Sequence, residues 1–400
     1  MTDGVRPLRV AYVLLREPTY SETFISSEIN AVRAAGAEVA PFFARGRQRT
    51  RSAEAVHAFR TLAGHPARLP AQVGQLGASY GARALLASAY ATALTPQVRE
   101  FDPDVVHTHF VNLPTAVAVL VAKNLRVPST AVAHAADFLL DANPAALDRR
   151  VSALSHLFVI SAAAATQLGE KGADLSRVPH SIVRAAFDGA FVDRMQPRPA
   201  GVTRLITIAR LMEKKGIDTV VDAVGRLVAG GFQVRYDVYG DGPERERLRQ
   251  RVAATSGLES SVVLHGATPH AEVMSALAAA DLAVLPCRRA ADGDIDGIPV
   301  FLMEAASRGV PVVTTAISGI PELVESGGGW HVRPDDPAAL AAAIRQAASE
   351  PEESWRRSVT LRDRIRSEFS PALQATRLLS TWRQLVADHT GATSQTRLGG

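Results

Sequence analysis

The chain has 400 residues, 47% of them apolar and 21% charged, with a net charge of +4 and a pI near 9.4. That length exceeds one ordinary core and predicts two domains, while so mild a basicity gives no ground for a nucleic-acid partner and is compatible with an anionic ligand or an anionic membrane surface. The single cysteine, Cys287, excludes an internal disulfide and fits a reducing compartment. No apolar run nears the ~18 residues of a membrane span, and "VAYVLL" is too short for a signal peptide. A cytoplasmic protein, at most peripheral on a membrane, is expected.

The chain opens as strand "LRVAYVLL", loop "REPTYSE", helix "TFISSEINAVRAAG" and strand "AEVAPFFA". "RGRQRTR" (Arg45 to Arg51) reads as a solvated loop, with contact to phospholipid or an anionic acceptor as the alternative. "VVHTHF" and "STAVAHA" are strand-like around the helical "LPTAVAVLVAKNL", and "HLFVISA" follows. Such alternation predicts an α/β fold with a parallel sheet covered on both faces. The stretch "RMQPRPAGVT" (Arg194 to Thr203) reads as a linker, after which a second sheet begins. Its expected strands are "RLITIAR", "VRYDVYG", "VVLHG", "DLAVLPC" and "VPVVTT". The expected organisation is therefore two tandem Rossmann-like domains, 1–195 and 196–370. A terminal helix at 371–389 and a disordered tail at 390–400 complete it. Ligands in such sheets bind at the carboxyl ends of the strands, so the strand-to-helix turns carry the candidates.

In "ARLMEKKGID", Arg210 and Lys215 stand on the loop after a strand, where two fixed cations near a helix N-terminus suit a diphosphate. They could equally be solvated. In "VYGDGPERERL", Gly240 and Gly242 bracket Asp241; turn chemistry explains them, with a backbone approach to a nucleotide as the alternative. "DGDIDGIPVFLMEA" admits three readings. A calcium loop would want glutamate at its twelfth position, which is Met303. A metal-clamping Asp-x-Asp belongs to a single-sheet architecture. The third reading takes Asp296 and Glu304 as a pair across a helix start, with Pro299 in the first turn and Gly297, Ile298 and Val300 supplying free N–H groups. One carboxylate would hold the sugar, the other the ribose, with the diphosphate between them; Asp292 and Asp294 would then be loop residues. His107 and His109 read as structural, and a zinc site as weak, since no third ligand is evident nearby. His134, at the end of an apolar strand, reads by itself as a packed core histidine.

Residues 205 to 345 resemble the donor domain of the large retaining glycosyltransferase family usually numbered four, which has the two-domain GT-B fold. The resemblance rests on "ARLMEKKGID", "VYGDGPERERL", "VVLHGATPHAEV", "ALAAADLAVLP", "DGIPVFLMEAASRGVPVVTT" and "SGIPELVESGGGWHVRPDDPAAL". The family signature is Glu-x7-Glu; Asp296 replaces its first glutamate and Glu304 is the second. "TYSETFISSEINAVRAAG", "DVVHTHF" and "AVAHAADF" resemble a subgroup that builds exopolysaccharide or lipid-linked saccharides. The resemblance implies that His134 and Asp296 orient the donor sugar and that Arg210 and Lys215 clamp its diphosphate. It also implies that the base lies near Gly266 and Ala267, with Glu304 holding the ribose. The acceptor, a glycan, lipid-linked saccharide or small molecule, would enter near Ser21, Glu22 and Thr23. The implied activity is metal-independent, retaining hexosyl transfer from a nucleoside-diphosphate sugar, with no cofactor. A nucleotide-sugar 2-epimerase of the same fold, or a non-catalytic nucleotide-sugar binder, is the alternative.

Overall fold

The computed structural model describes residues 6–18, 22–45, 82–192, 202–325 and 327–398, without the side chains at 82, 136 and 392–398. The chain forms two compact units, Met1–Ala186 with Pro371–Gly400, and Phe187–Ser370.

The first unit is a parallel sheet of β1 (Arg9–Leu14), β2 (Glu38–Phe43), β3 (Val105–His109), β4 (Ser129–Ala133), β5 (His156–Val159) and β6 (His180–Ile182), in the order β2-β1-β3-β4-β5-β6. β3 and β4 are buried along their whole length, as strands covered by helices on both faces must be. The order reverses at β1 and β3. The loops beyond their carboxyl ends therefore flank the switch point where open α/β sheets take ligands. The helix Ala82–Phe101 is not among the expected elements; Pro96 inside it breaks the pattern that would have marked it.

The C-terminal helix Pro371–Leu398 belongs to this first unit. Its Trp382 is fully buried, lies edge-on to Tyr12 and His107, and donates from Nε1 to Thr130 Oγ1 at 3.0 Å. The tail expected to be disordered from residue 390 instead continues this helix to Leu398. Residues 390–398 contain no proline, and their single glycine, Gly391, costs a helix only about 1 kcal/mol.

The second unit is a parallel sheet of β7 (Thr203–Ile208), β8 (Val234–Tyr239), β9 (Val262–Gly266), β10 (Leu282–Leu285), β11 (Val312–Thr315) and β12 (Trp330–Val332), in the order β12-β11-β10-β7-β8-β9. Its apolar side chains form a core on each face. One includes Val220, Val224 and Ile344, the other Leu302, Leu361 and Ile365. The order reverses at β7 and β10. β6 and β12, three residues each at a sheet edge, are too short to show a sequence pattern.

The unit boundary falls earlier than the expected 195/196. Phe187 donates its amide to the Phe369 carbonyl at 2.9 Å and Val192 to the Ser307 carbonyl at 2.8 Å, which ties 187–192 to the second unit. Most of the predicted linker, and Arg51 with most of the arginine-rich loop, lie outside the described residues.

Candidate functional site

In the second unit, the neighbouring strands β7 and β10 send their carboxyl-end loops side by side. The β7 loop makes a turn, Glu213–Lys215, before the helix Ile217–Ala229. Gly216 sits at φ +62°, and a Cβ there would lie 2.1 Å from the Pro286 carbonyl oxygen, so the two loops touch through a glycine. Arg288 fastens them further. Its amide donates to the Lys214 carbonyl at 2.9 Å, its Nε to the Glu213 carbonyl at 3.0 Å, and its Nη2 to Asp218 at 3.0 Å.

This fastening sets the charges. Lys215 Nζ lies 2.6 Å from Asp296 Oδ2, and Lys214 Nζ lies 3.2 Å from Asp296 Oδ1 and 2.9 Å from Asp294 Oδ2. Burial pushes the Asp296 carboxyl up, but Lys215 and Lys214 outweigh it and leave its pKa below the ordinary value. Burial likewise opposes the Lys214 ammonium, and Asp296 and Asp294 more than compensate. Asp294 is thus more than the loop residue expected; it anchors Lys214. Asp292 accepts the Asp294 amide at 2.9 Å, closing the turn. Cys287 is buried, with its Sγ 3.5 Å from Asp296 Oδ2, and burial raises its thiol pKa. Arg210, at the start of the β7 loop, is exposed and its guanidinium makes no bond among the described residues.

Pro299 caps the helix Val300–Ser307 rather than opening it, one residue from the expected place. No side chain caps that end, so amides of its first turn stay available to a ligand. Val300 there is exposed, at 44%. Glu304, one turn in, is half-buried; burial raises its pKa against the pull of His270 and Arg308. Its carboxylate makes no hydrogen bond or ion pair among the described residues. Gly240 and Gly242 are explained by packing, since Cβ atoms there would lie 2.0 Å from the Ala209 oxygen and 2.4 Å from the Leu211 oxygen. The Gly266 carbonyl accepts from the Gly240 amide at 2.8 Å, and Ala267 beyond it is exposed.

In the first unit, a pocket of about 290 Å³ opens at the switch point, lined by Leu14, Arg16, Glu22, His109, Phe110 and Asp137 among others. Glu22, the N-cap of the helix Thr23–Ala34, receives two bonds from Arg16, at 2.8 and 2.9 Å. Thr23 is exposed, and Ser21 lies outside the described residues. Asp137 Oδ2 accepts the Val111 amide at 2.5 Å, while Oδ1 is buried and has no partner among the described residues. Burial raises the Asp137 pKa to about 7, against its backbone hydrogen bonds and Arg150.

Beside this pocket His134 is neither isolated nor merely packed. Its Nε2 lies 3.1 Å from His109 Nδ1, and its ring meets those of Phe24 and Phe110 at centroid distances of 4.7 and 4.9 Å. His109 Nε2 lies 3.1 Å and His107 Nε2 3.3 Å from Glu28 Oε1. Tyr12 donates its hydroxyl to the same oxygen at 2.9 Å. Burial pushes Glu28 up, but the two imidazoles hold it well below the carboxylate range. Burial lowers the His134 pKa to about 3, which keeps the ring neutral. The expectation that His107 and His109 lack a nearby third ligand is corrected here. Glu28, far away in sequence, converges on both, and these three form the only group of metal-type donors among the described residues.

Residues 202–350 match the family Glycosyl transferases group 1. This stretch is a group 1 glycosyl transferase domain. The chain is 37% identical over 201 residues to WcaL of Salmonella typhimurium, a glycosyltransferase assigned to colanic acid biosynthesis, covering 50% of this chain and 46% of WcaL. It is 42% identical over 142 residues to the amylovoran biosynthesis glycosyltransferase AmsK of Erwinia amylovora, covering 35% of each. The matches thus span less than half the length of these relatives. The fold resembles Anabaena HepE, crystallised with UDP, at a TM-score of 0.68 and 16% identity, covering 94% of this chain and 100% of HepE. The two six-stranded parallel sheets are those of GT-B glycosyltransferases.

The group 1 domain holds Lys215, Asp296 and Glu304 at one switch point, but sequence reasoning missed Lys214 and Asp294, although "EKKG" showed the first beside Lys215. It also missed Glu28 and Asp137 in the first unit. A signal for Glu28 existed: it lies on the buried face of its helix with Ile25, Ile29 and Val32, where an unpaired carboxylate is not tolerated.

Proposed function

We propose that the protein transfers a hexose-type sugar from a nucleoside-diphosphate sugar to a hydroxyl of a glycan, glycolipid or small-molecule acceptor, with retention and without a metal. The observation that carries this reading is Glu304. It is a half-buried carboxylate without a partner among the described residues, one turn inside an uncapped helix and eight residues after an aspartate gripped by two lysines. An unpaired carboxylate suits vicinal ribose hydroxyls, and the amides and ammoniums suit a diphosphate. Lys214 and Lys215 already neutralise Asp294 and Asp296, which supports charge stabilisation by side chains rather than a metal clamp. The relatives' roles in polysaccharide synthesis, and the UDP bound by HepE, agree in substrate class.

In the mechanism that follows, the acceptor oxygen bonds to the anomeric carbon on the face from which the diphosphate leaves. The anomeric C–O bond breaks, its electron pair goes to the diphosphate, and a phosphate oxygen takes the acceptor's proton. Arg210, Lys215 and the helix amides stabilise the departing charge, while His134 and Asp296 orient the sugar. The test incubates the protein with UDP-glucose and other sugar nucleotides, with and without acceptors and chelator, and reads the product anomer by NMR. Transfer with retained configuration and full activity in chelator is expected. An epimerised sugar nucleotide formed without acceptor, or activity abolished by chelator, would overturn it.

A further inference from the structure

The buried polar side chains beneath His134 form a chain whose hydrogens can be placed one after another. Trp382 Nε1 can only donate, so Thr130 Oγ1 accepts from it at 3.0 Å, and the only acceptor among the described residues for the buried hydroxyl's own hydrogen is His107 Nδ1, at 2.7 Å. His107 therefore carries its proton on Nε2, which lies 3.3 Å from Glu28 Oε1 but outside hydrogen-bond geometry. Tyr12 donates to that oxygen, at 2.9 Å. His109 Nε2, at 3.1 Å from the same oxygen, presents a second hydrogen to it. A carboxylate served by two donors is stable as a buried anion without a second charge beside it. His109 then keeps a lone pair on Nδ1, and His134 Nε2, 3.1 Å away, must donate to it. The Nδ1 of His134 is left as a lone pair with no partner among the described residues.

We infer that Glu28 is a positioning residue that, through His109, fixes the proton of His134 on Nε2 and so makes His134 Nδ1 a hydrogen-bond acceptor for a hydroxyl of the donor sugar. The role assigned to the sugar rests on the function proposed above, whereas the proton arrangement does not. Phe24 and Phe110 hold the ring in place, so the tautomer decides whether the site accepts or donates.

The test is NMR of the imidazole nitrogens in full-length protein labelled at histidine, with His134 and His109 assigned by single substitutions. In the native protein, His134 should show a protonated Nε2 and a bare Nδ1 at neutral pH, and His109 a protonated Nε2. Tyr12→Phe, which removes one donor to Glu28, should leave both signals unchanged. Glu28→Gln should mix the tautomers of both rings. With a donor and acceptor in hand, it should lower kcat about twofold to tenfold, the loss expected for one neutral hydrogen bond, with little change in donor KM. A doubly protonated His109 with His134 protonated on Nδ1 would overturn the arrangement even if Glu28→Gln failed to fold. Tightly held zinc on His107 and His109 would overturn it too. Native tautomers unchanged in a folded Glu28→Gln would remove Glu28 from the role. If no sugar nucleotide proves to be a substrate, the tautomer result still stands or falls by itself.

Discussion

Among single residues, Lys215 and Asp137 give the sharpest expectations. Lys215→Ala should lower turnover by ~10²–10³, the usual cost of removing one preorganised charge-stabilising donor. Its melting temperature should stay near that of the native protein, because Asp296 keeps Lys214. Turnover at saturating donor checks this. The carboxylates at 292 and 294, alike in sequence, should separate. Asp294→Asn, by loosening Lys214, should cost transfer about tenfold, while Asp292→Asn should change little. Asp137 predicts a pH dependence of stability. Its pKa of about 7 lies above the ordinary 3.8, so the native state holds a proton that the unfolded chain releases. That contribution is whole below the unfolded value and is lost as pH rises through about 7. Melting curves from about pH 4 to pH 8 should therefore decline less steeply for Asp137→Asn, which stays neutral, than for the native protein.

Between elements, the contact at Gly216 is the feature to test. Alanine there would have to hold φ +62° and clear the Pro286 carbonyl oxygen, which a Cβ would approach to 2.1 Å. Gly216→Ala should cost more than about 1 kcal/mol in denaturant unfolding. It should also weaken sugar-nucleotide binding, because the turn that carries Lys214 and Lys215 must shift. This contact also shows what the sequence could and could not reveal. β1, β3, β7 and β10 were legible as apolar runs closed by turn residues, and their alternation with helices implied the parallel sheets. The Lys215–Asp296 ion pair was not legible, because it follows from a strand order that places β10 beside β7. No local pattern encodes that order. Glu28 was hidden for the same reason: it lies on a helix while its neighbours Tyr12, His107 and His109 come from β1 and β3, and only the fold brings them together.

For the molecule as a whole, the first unit is discontinuous, since residues 371–398 complete it after the entire second unit has intervened. Trp382→Ala should destabilise this unit by about 3–5 kcal/mol, the range for a buried aromatic truncated to alanine. Truncation after Ser370 should leave a cooperative unfolding transition for the second unit and none for the first, as read by calorimetry. The bond from Trp382 to Thr130 spans 252 positions in the chain. A ribosome adding ~5–20 residues per second makes the indole available only some ten to fifty seconds after the threonine it will bind. Through that interval the first-made strands exist as a nascent sheet with an open seam, available to chaperones and proteases. The second unit, whose residues are contiguous, can close during its own synthesis. Folding order on the ribosome should thus run against sequence order, with the middle of the chain becoming protease-resistant before its beginning.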